Sequence, residues 1–414
     1  MKNNRNPELR IVNPEDTVKN GQSEQAKHTL KDQKAFRKKE IILRARKINL
    51  MKKTAVVFVA AFLILGLGIL YVANKTYSEV KVLDLYEDEG DIGVQYIWMD
   101  QGILKYSRDG AAYISQSGKE QWNVSYQIKN PVVSVRKGTA AIADHQGKEI
   151  HIFQEEGEIG EIKTELPIEK IAVSAQGIVS TILRDNTSAK IVCYDSQGNI
   201  LVEHQTSPAG TGYPMDLDLS EDGKILLVSY LKVSSSKIIS EVAYYNFEDK
   251  KENDKKVGAK KDEYKNKIIP SVSFLDEKTS VAAMDGQIVF YHSKEEPSVN
   301  KKIKFDGEIR SVFSDDQYMG VIVKGTDSLE VQLFDKKGKQ ILAEEIQREY
   351  REVKVQDGKI MMYDNKDCEI ITKSGIHKFK GELEKNILGI FPATGFNKYF
   401  IATVNGIEKI RLTK

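Results

Sequence analysis

The chain has 414 residues, and its 62 basic and 60 acidic side chains give a formal net charge of +2. This near-balance argues against a nucleic-acid-binding protein, which needs a basic excess gathered on one surface. The chain is longer than one ordinary hydrophobic core requires, so its length predicts either several domains or a repeat architecture.

The first 33 residues are rich in Asn, Glu, Lys and Gln and contain few large apolar side chains. Because such a segment cannot bury enough apolar surface to offset its conformational entropy, we predict that residues 1–33 form a disordered cytoplasmic tail. Residues 34–53 follow as a basic juxtamembrane segment in which Glu40 is the only acidic residue. This segment can orient the chain in a membrane, and it can also bind anionic lipid head groups or a cytoplasmic partner.

An apolar run without charged side chains extends from Thr54 to Ala73. A run of about 20 such residues is long enough to cross the hydrocarbon core of a bilayer as a helix. Tyr71 lies where a signal peptidase needs a small residue, so the run predicts an uncleaved signal anchor. The basic residues before it predict a single-pass protein of the cell membrane, with a cytoplasmic N-terminus and an extracytoplasmic C-terminal region.

From residue 79 onward the sequence consists of short runs of β-branched and aromatic residues, separated by turns rich in Gly, Asp and Asn. A unit of strand, turn and strand recurs at intervals close to the roughly 40–50 residues of a four-stranded propeller blade. Its clearest copy extends from Met215 to Tyr230, with a turn at Ser220 to Lys224. The other seven copies begin at Ile97, Val132, Ile171, Val272, Ser311, Val353 and Gly389.

A second recurring turn follows the third apolar strand of most units. It ends on a glycine, which supplies the positive φ that a bulged hairpin requires. These glycines are Gly118, Gly157, Gly198, Gly338 and Gly375. The segment Glu248 to Lys267 has mixed charge and few apolar residues, which indicates a solvated excursion from the rim.

The last unit lacks a fourth strand, whereas Glu79 to Leu85 is an extra strand ahead of the first unit. Pairing the two would close a ring and remove the exposed sheet edges. For residues 79–414 we therefore predict an all-β fold, an eight-bladed β-propeller closed by this N-terminal strand, with seven blades as the alternative. The strand begins only a few residues after the apolar run, so we expect any partner to lie near the membrane surface.

The segment Ala112 to Trp122 is similar to the tryptophan-docking repeat of quinoprotein-type propellers, in which the Trp packs on a neighbouring blade. The matching residues are Ala112, Ser115, Gly118, Lys119 and Trp122. Other blades keep the turn and replace the Trp by Val202, Leu342 or Phe379. The turn from Ser220 to Lys224 resembles that of WD-type and lactonase-type propellers, with Glu221 in place of Pro.

The chain as a whole resembles an uncharacterised Gram-positive (Firmicutes) family of membrane-anchored β-propellers, known as domain of unknown function 5711. The resemblance covers nearly the whole chain and implies only architecture, because that family of envelope proteins has no established catalytic residues to transfer.

We identify no catalytic, cofactor-binding or metal-binding residue from the sequence, and we expect no cofactor. The six histidines show no metal-ligand spacing, and we interpret them as ordinary strand or turn residues. Asp216 and Asp218 would face the channel if their strand is innermost, but alternation with Leu217 and Leu219 favours an ordinary strand over a calcium loop. Cys193 and Cys368 lie in apolar strand patterns, which favours buried free thiols over a disulfide.

These patterns favour a non-enzymatic role. We expect a membrane-tethered binding or scaffold module for a cell-envelope protein or polymer, with the lipid bilayer as a further partner and no nucleic acid. The alternative is an envelope enzyme, or a ligand or carbohydrate sensor, with its site in the propeller channel.

Overall fold

A computed structural model describes residues 14–87, 93–234, 237–250, 257–293 and 297–414. Two compact units make up the chain, the first ending at Lys75 and the second beginning at Thr76.

The first unit is built on one long helix, α1, which runs from Pro14 to Asn74. Residues 14–33, for which composition predicts disorder, belong to this helix, because Glu, Lys, Gln and Ala also favour helical backbone. Residues 1–13 of the predicted tail lie outside the described residues. The stretch Leu50–Val72 is long and apolar enough to cross a membrane, and it overlaps the predicted span Thr54 to Ala73.

The second unit is the predicted eight-bladed propeller, in which each blade is a four-stranded antiparallel sheet. Blades 1 to 7 each follow the chain order from the first to the fourth strand. Blade 1 consists of β2 (Gln95–Met99), β3 (Gly102–Tyr106), β4 (Gly110–Ser115) and β5 (Glu120–Ser125), and blade 2 of β6 (Pro131–Arg136), β7 (Thr139–Asp144), β8 (Glu149–Gln154) and β9 (Gly157–Lys163). Blade 3 consists of β10 (Ile168–Val173), β11 (Val179–Asp185), β12 (Ser188–Tyr194) and β13 (Ile200–Gln205), and blade 4 of β14 (Tyr213–Leu219), β15 (Ile225–Ser234), β16 (Lys237–Lys250) and β17 (Val257–Lys265). Blade 5 consists of β18 (Ser271–Asp276), β19 (Thr279–Met284), β20 (Gln287–His292) and β21 (Ser298–Lys304), blade 6 of β22 (Glu308–Ser314), β23 (Tyr318–Lys324), β24 (Leu329–Asp335) and β25 (Gln340–Glu345), and blade 7 of β26 (Glu352–Gln356), β27 (Lys359–Asp364), β28 (Asp367–Thr372) and β29 (His377–Glu382).

Blade 8 joins the two ends of the second unit. It consists of β30 (Gly389–Pro392), β31 (Lys398–Thr403), β32 (Gly406–Thr413) and, as its outermost strand, β1 (Glu79–Glu87). β1 and β32 pair antiparallel from Glu79 opposite Thr413 to Glu87 opposite Gly406. The predicted closure by an N-terminal strand is therefore confirmed, and β1 supplies the strand that the last repeat lacks.

First strands of neighbouring blades contact one another in much of the ring, as β6, β10, β14 and β18 do in succession, so the first strands lie innermost around the central channel. All eight predicted repeat units coincide with the hairpin between the first and second strands of a blade. Turns after the first and third strands share one face of the propeller, which we call the lower face. Turns after the second and fourth strands form the upper face.

The five predicted glycine turns follow the third strands, and all five glycines have positive φ. Each turn is accompanied by a register shift between the third and fourth strands, as at Tyr113/Ile114 in blade 1 and Cys193/Tyr194 in blade 3. The glycine therefore closes the hairpin, and the bulge sets which residue of the outer strand faces the next blade.

The segment Glu248 to Lys267 differs from the predicted excursion. Residues 248–250 end β16, and Val257–Lys265 form β17, the outer strand of blade 4. An outer strand takes its hydrogen bonds from one neighbour and exposes its other edge, so a lysine-rich sequence can form it. Residues 251–256 lie outside the described residues.

Neighbouring blades dock through the residue of the fourth strand that follows this bulge. In blade 1, Trp122 stacks on Phe153 of blade 2 with ring centroids 5.1 Å apart, and its Nε1 donates to Glu155 O at 2.9 Å. In blade 8, Tyr86 donates through its hydroxyl to Ser117 O of blade 1 at 2.9 Å. A Cβ added at Gly118 would clash with the Tyr86 ring, so the turn approaches this ring as closely as glycine permits. Leu342 and Phe379 are buried at the corresponding positions, and Val202 is partly buried there.

We expect Trp122→Ala to lower the free energy of unfolding by about 2–3 kcal/mol, since the substitution removes both the stacked ring and its hydrogen bond. The matched variant Trp122→Phe keeps an aromatic ring on Phe153 and should cost about 1 kcal/mol. Denaturant unfolding of both variants measures the difference. Equal stability of the alanine variant and the unmodified chain would contradict the docking role.

Candidate functional site

The central channel is the first candidate site, because the first strands of all eight blades converge on it. One edge of each first strand pairs with the second strand of its blade, and the other edge has no strand beside it. Backbone groups on that free edge need partners. In blade 5 the carboxylates of blade 4 supply them: Val272 N donates to Asp216 Oδ2 at 3.0 Å, and Phe274 N donates to Asp218 Oδ2 at 2.7 Å.

Arg136 crosses the lower end of the channel. It ends the first strand of blade 2, yet its guanidinium lies 2.5 Å from Asp218 Oδ2 of blade 4 and donates to Phe274 O of blade 5 at 3.0 Å. The two side chains of this ion pair are 18% and 12% exposed. The pair therefore ties three blades together at the lower end of the channel.

The turns of the lower face add a second layer of ion pairs over the same opening. Lys137 of blade 2 lies 2.9 Å from Asp316 Oδ2 of blade 6, which is the opposite blade of an eight-membered ring, and 4.0 Å from Glu221 Oε2 of blade 4. The hydrogen bond to Asp316 raises the pKa of Lys137. The backbone of Glu221 also accepts from Ala175 N of blade 3 at 3.0 Å. Four blades are thus linked across this mouth.

A further charged layer lies deeper in the channel. Lys170 of blade 3 is 2.9 Å from Asp216 Oδ1 of blade 4. Burial raises the pKa of the Asp216 carboxyl, and the Lys170 charge opposes that shift. Glu169, which precedes Lys170 in β10, accepts a hydrogen bond from Tyr213, and its carboxylate lies 2.9 Å from Arg184 Nε.

The structure places both sequence-selected aspartates, Asp216 and Asp218, on an innermost strand beside the channel. Their carboxylates accept from backbone amides and pair with Lys170 and Arg136, so cationic side chains already compensate their charge. Asp222, in the turn that follows this strand, accepts from Ser220 Oγ and Lys224 N within the turn. In the described parts of the chain, no group of three His, Cys, Asp or Glu side chains has an arrangement that could hold a metal ion.

The other sequence-selected residues lie within blades. His151 and His377 are on strands and place Nδ1 2.7 Å from Glu158 and 2.8 Å from Glu369, respectively. Glu369 is almost fully buried, and it also accepts from Tyr350 at 2.9 Å. Both cysteines are buried free thiols, as predicted. Burial raises the pKa of the Cys193 thiol to about 12, which keeps it protonated and unreactive.

A second candidate site is the hairpin of β15 and β16 on the upper face of blade 4. These strands have 10 and 14 residues, whereas the other strands of blades 1 to 7 have 5 to 9. Pairing of β15 with the first strand ends at Leu231, and pairing of β16 with the fourth strand ends at Ile239. Beyond these residues the two strands form ladder pairs only with each other in the described part of the chain, and Asn266 N still donates to Ile238 O at 2.8 Å. The end of the hairpin therefore extends past the rest of the blade.

The hairpin exposes an apolar pair beside the charged Lys237, and an ion pair holds its base. Val233 is 69% exposed and lies opposite Ile238, which is 37% exposed. At the base, Lys232 Nζ is 3.1 Å from Glu241 Oε2, whose side chain is almost fully buried. The repeat pattern missed this feature because it aligned only the part common to all blades. The β-branched run around Val233 and Ile238 was the available signal.

We expect Arg136→Met to lower the free energy of unfolding by about 3 kcal/mol, because it leaves Asp218 buried without its cation. The matched control is Lys137→Met, which removes the ion pair with Asp316. The two side chains of that pair are 41% and 52% exposed, so its loss should lower the free energy of unfolding by less than about 1 kcal/mol. Denaturant unfolding at neutral pH measures both. Equal losses would contradict a structural role for the Arg136 crossing.

Asp315, in the lower-face turn of blade 6, generates a pH prediction. Its Oδ1 accepts from Gln317 N and Tyr318 N, while burial raises its pKa to about 6. Because this pKa exceeds that of an unfolded Asp, the group stabilises the fold at pH 4, and the contribution is lost as pH rises through 6. Asp315→Asn keeps the acceptor oxygen and should remove this decline, as measured by unfolding between pH 4 and 7. Parallel profiles for the two proteins would contradict it.

Comparisons with known proteins give low similarity to solved structures. The chain aligns with a chain of a mitotic checkpoint complex at 9% identity and a TM-score of 0.43, covering 82% of this chain and 96% of that one. A eukaryotic initiation factor aligns at 13% identity and a TM-score of 0.44, covering 70% of this chain and 78% of that one. A putative 6-phosphogluconolactonase from Bacteroides fragilis aligns at 11% identity and a TM-score of 0.43, covering 72% of this chain and 93% of that one.

No curated protein matches the sequence. A family of unknown function, DUF5711, matches residues 73–412, which include the whole propeller except its last residues. The chain therefore belongs to the DUF5711 family.

Proposed function

We propose that this protein is a membrane-tethered, extracytoplasmic β-propeller that binds a protein of the cell envelope as a non-enzymatic scaffold. The observation that carries the proposal is the extended β15–β16 hairpin, which exposes Val233 and Ile238 beyond the rest of blade 4. The propeller supplies a rigid platform, and the hairpin is the part that projects beyond it.

The membrane tether rests on composition and charge. The stretch Leu50–Val72 contains two basic residues, Lys52 and Lys53, at its start and none after them. Residues 34–53 carry nine basic side chains against Glu40 alone, counting Lys34, Arg37, Lys38, Lys39, Arg44, Arg46, Lys47, Lys52 and Lys53. Such an excess on one flank favours a cytoplasmic N-terminus with the propeller on the outer side.

The hairpin tip has the chemistry of a protein-binding element. Beyond Leu231 the edge of β15 has no strand paired with it in the described residues, so an extended segment of a partner can add there as a strand. Proteins usually protect such edges with charge, proline or a covering element. The tip carries the exposed Lys237, but it also exposes Val233 and Ile238, and this apolar pair favours a partner that covers it.

The supporting base keeps the tip in position. The Lys232–Glu241 pair holds the two strands together where they leave the blade. The adjacent Tyr230 and Tyr245 hydroxyls are 2.8 Å apart across the same strands. A hairpin fixed in this way loses little conformational entropy when a partner binds.

A second candidate function is a sensor or enzyme that uses the channel, favoured by the ion pair of Lys170 and Asp216 beside it. Because Arg136 and Asp218 already pair at the lower end, a ligand would use the upper part of the channel. Lys170→Met separates the two functions. A hairpin scaffold should keep its partner in this variant, whereas a channel receptor should lose its ligand.

We expect the double variant Val233→Asp, Ile238→Asp to reduce partner capture on the order of tenfold or more, because charge at the tip opposes burial of the apolar pair. Crosslinking in intact cells, with a photoreactive residue on the hairpin, measures capture. Val404→Asp is the matched control, since Val404 is a 50% exposed valine in an upper-face turn of blade 8. Equal capture by hairpin variant and control, or no reproducible partner at all, would contradict the proposal.

A further inference from the structure

The lower face of the propeller receives the chain that arrives from α1. Ser78 N donates to Thr413 O at 3.1 Å, and Tyr77 N donates to Lys378 O at 3.0 Å. These bonds fix residues 77 and 78 at the lower-face end of blade 8, where β32 ends and β1 begins. Five peptide units separate Val72 from Tyr77, a length that spans at most about 18 Å.

Phe396 occupies the lower-face turn of the same blade. Its side chain is 73% exposed, the highest value for a large apolar residue in the described part of the propeller. The preceding Gly395 and the following Asn397 both have positive φ, and Ala393 N donates to Lys398 O at 3.0 Å to close the turn. The backbone therefore holds the aromatic ring at the apex of a defined turn.

This turn is bound directly to the arriving chain. Asn397 Nδ2 donates to the Tyr77 hydroxyl, and Leu412 N donates to Asn397 O at 2.9 Å. The exposed Phe396 therefore directly precedes Asn397, the residue that binds Tyr77. The corresponding turns of the other blades have polar residues at their apices, such as Gln101, Lys137, Gln176, Asp222, Glu277, Gln317 and Asp357.

The lower-face segments around Phe396 carry three lysines, and the lower-face turn after β2 of blade 1 also carries the exposed Asp100. Thr394 of its turn donates to Gln116, in the lower-face turn of blade 1 that also carries the exposed Lys119. Lys398 follows Phe396 by two residues, and Lys414 follows the end of β32. An aromatic ring flanked by lysines suits the interface of a bilayer with anionic lipids, where the ring enters the head-group region and the cations remain near phosphate.

We infer that the lower face of blade 8 rests on an anionic phospholipid bilayer, with Phe396 inserted into its interface. The inference rests on the proposed membrane tether. It leaves the upper face, including the β15–β16 hairpin, directed away from the bilayer and accessible to a partner. It thereby extends the proposed function by assigning one face to lipid and the other to protein.

The test uses the full-length chain in vesicles of phosphatidylcholine and phosphatidylglycerol. A fluorescent maleimide is placed through Lys119→Cys, on the lower face, or through Val233→Cys, on the upper face. Cys193 and Cys368 are buried, so labelling is selective for the introduced thiol. We expect lipids with a spin label near the head group to quench the label at position 119 at least about twofold more than the label at position 233.

The role of Phe396 is tested by adding Phe396→Asp to the chain labelled at position 119. This residue is exposed, so the substitution leaves the fold intact, and quenching should fall by about half or more. Equal quenching at positions 119 and 233, or unchanged quenching in the Phe396 variant, would overturn the inference while the tether stands. Release of the chain from vesicles by alkaline carbonate would overturn the tether and, with it, the contact.

Discussion

The antiparallel pairing of β1 with β32 is the constraint on which the rest of the propeller depends. Without β1, blade 8 would have three strands and an exposed edge along β32, and Tyr86 could not dock on the turn of blade 1. Closure therefore supplies both the missing backbone partner and the last interblade contact. Since β1 follows α1 after only four residues, the same strand that closes the ring also attaches it to the rest of the chain.

Two sets of contacts hold the closed ring together at different radii. Near the rim, a side chain after the bulge of each docked outer strand packs on the next blade, as Trp122 does on Phe153. Near the axis, the contacts are polar, because innermost strands present backbone groups that no further strand can satisfy. Asp216 and Asp218 cap those groups, and Lys170 and Arg136 compensate the carboxylate charges. A small set of charged residues therefore replaces the apolar side chains that fill the spaces between blades.

The candidate sites show how far sequence reasoning reached. The repeat predicted that Asp216 could face the channel, because strand alternation and the position of the first strand follow from local pattern. Its partner Lys170 was not predicted, since the two residues belong to different blades and their separation depends on the packing of those blades. Arg136 presents the same difficulty, because it contacts blades 4 and 5 across the ring. The protruding hairpin was hidden for another reason: alignment of repeats keeps what blades share and discards an extension of one blade.

Local sequence alone determined the positions of the hairpins, the closing strand and the apolar helix, and it favoured eight blades over seven. Each of these depends on short-range periodicity, on glycine at positive φ or on an uninterrupted apolar run, and each is readable within a few tens of residues. Local composition did not predict the helix over residues 14–33 or the strand β17, because polar helix formers and a lysine-rich strand resemble unstructured sequence. Only the tertiary structure decided which charges meet in the channel, which turns share a face and which apolar side chains stay exposed. These features arise from the closure of eight sheets into one ring, which brings together residues that the sequence keeps far apart.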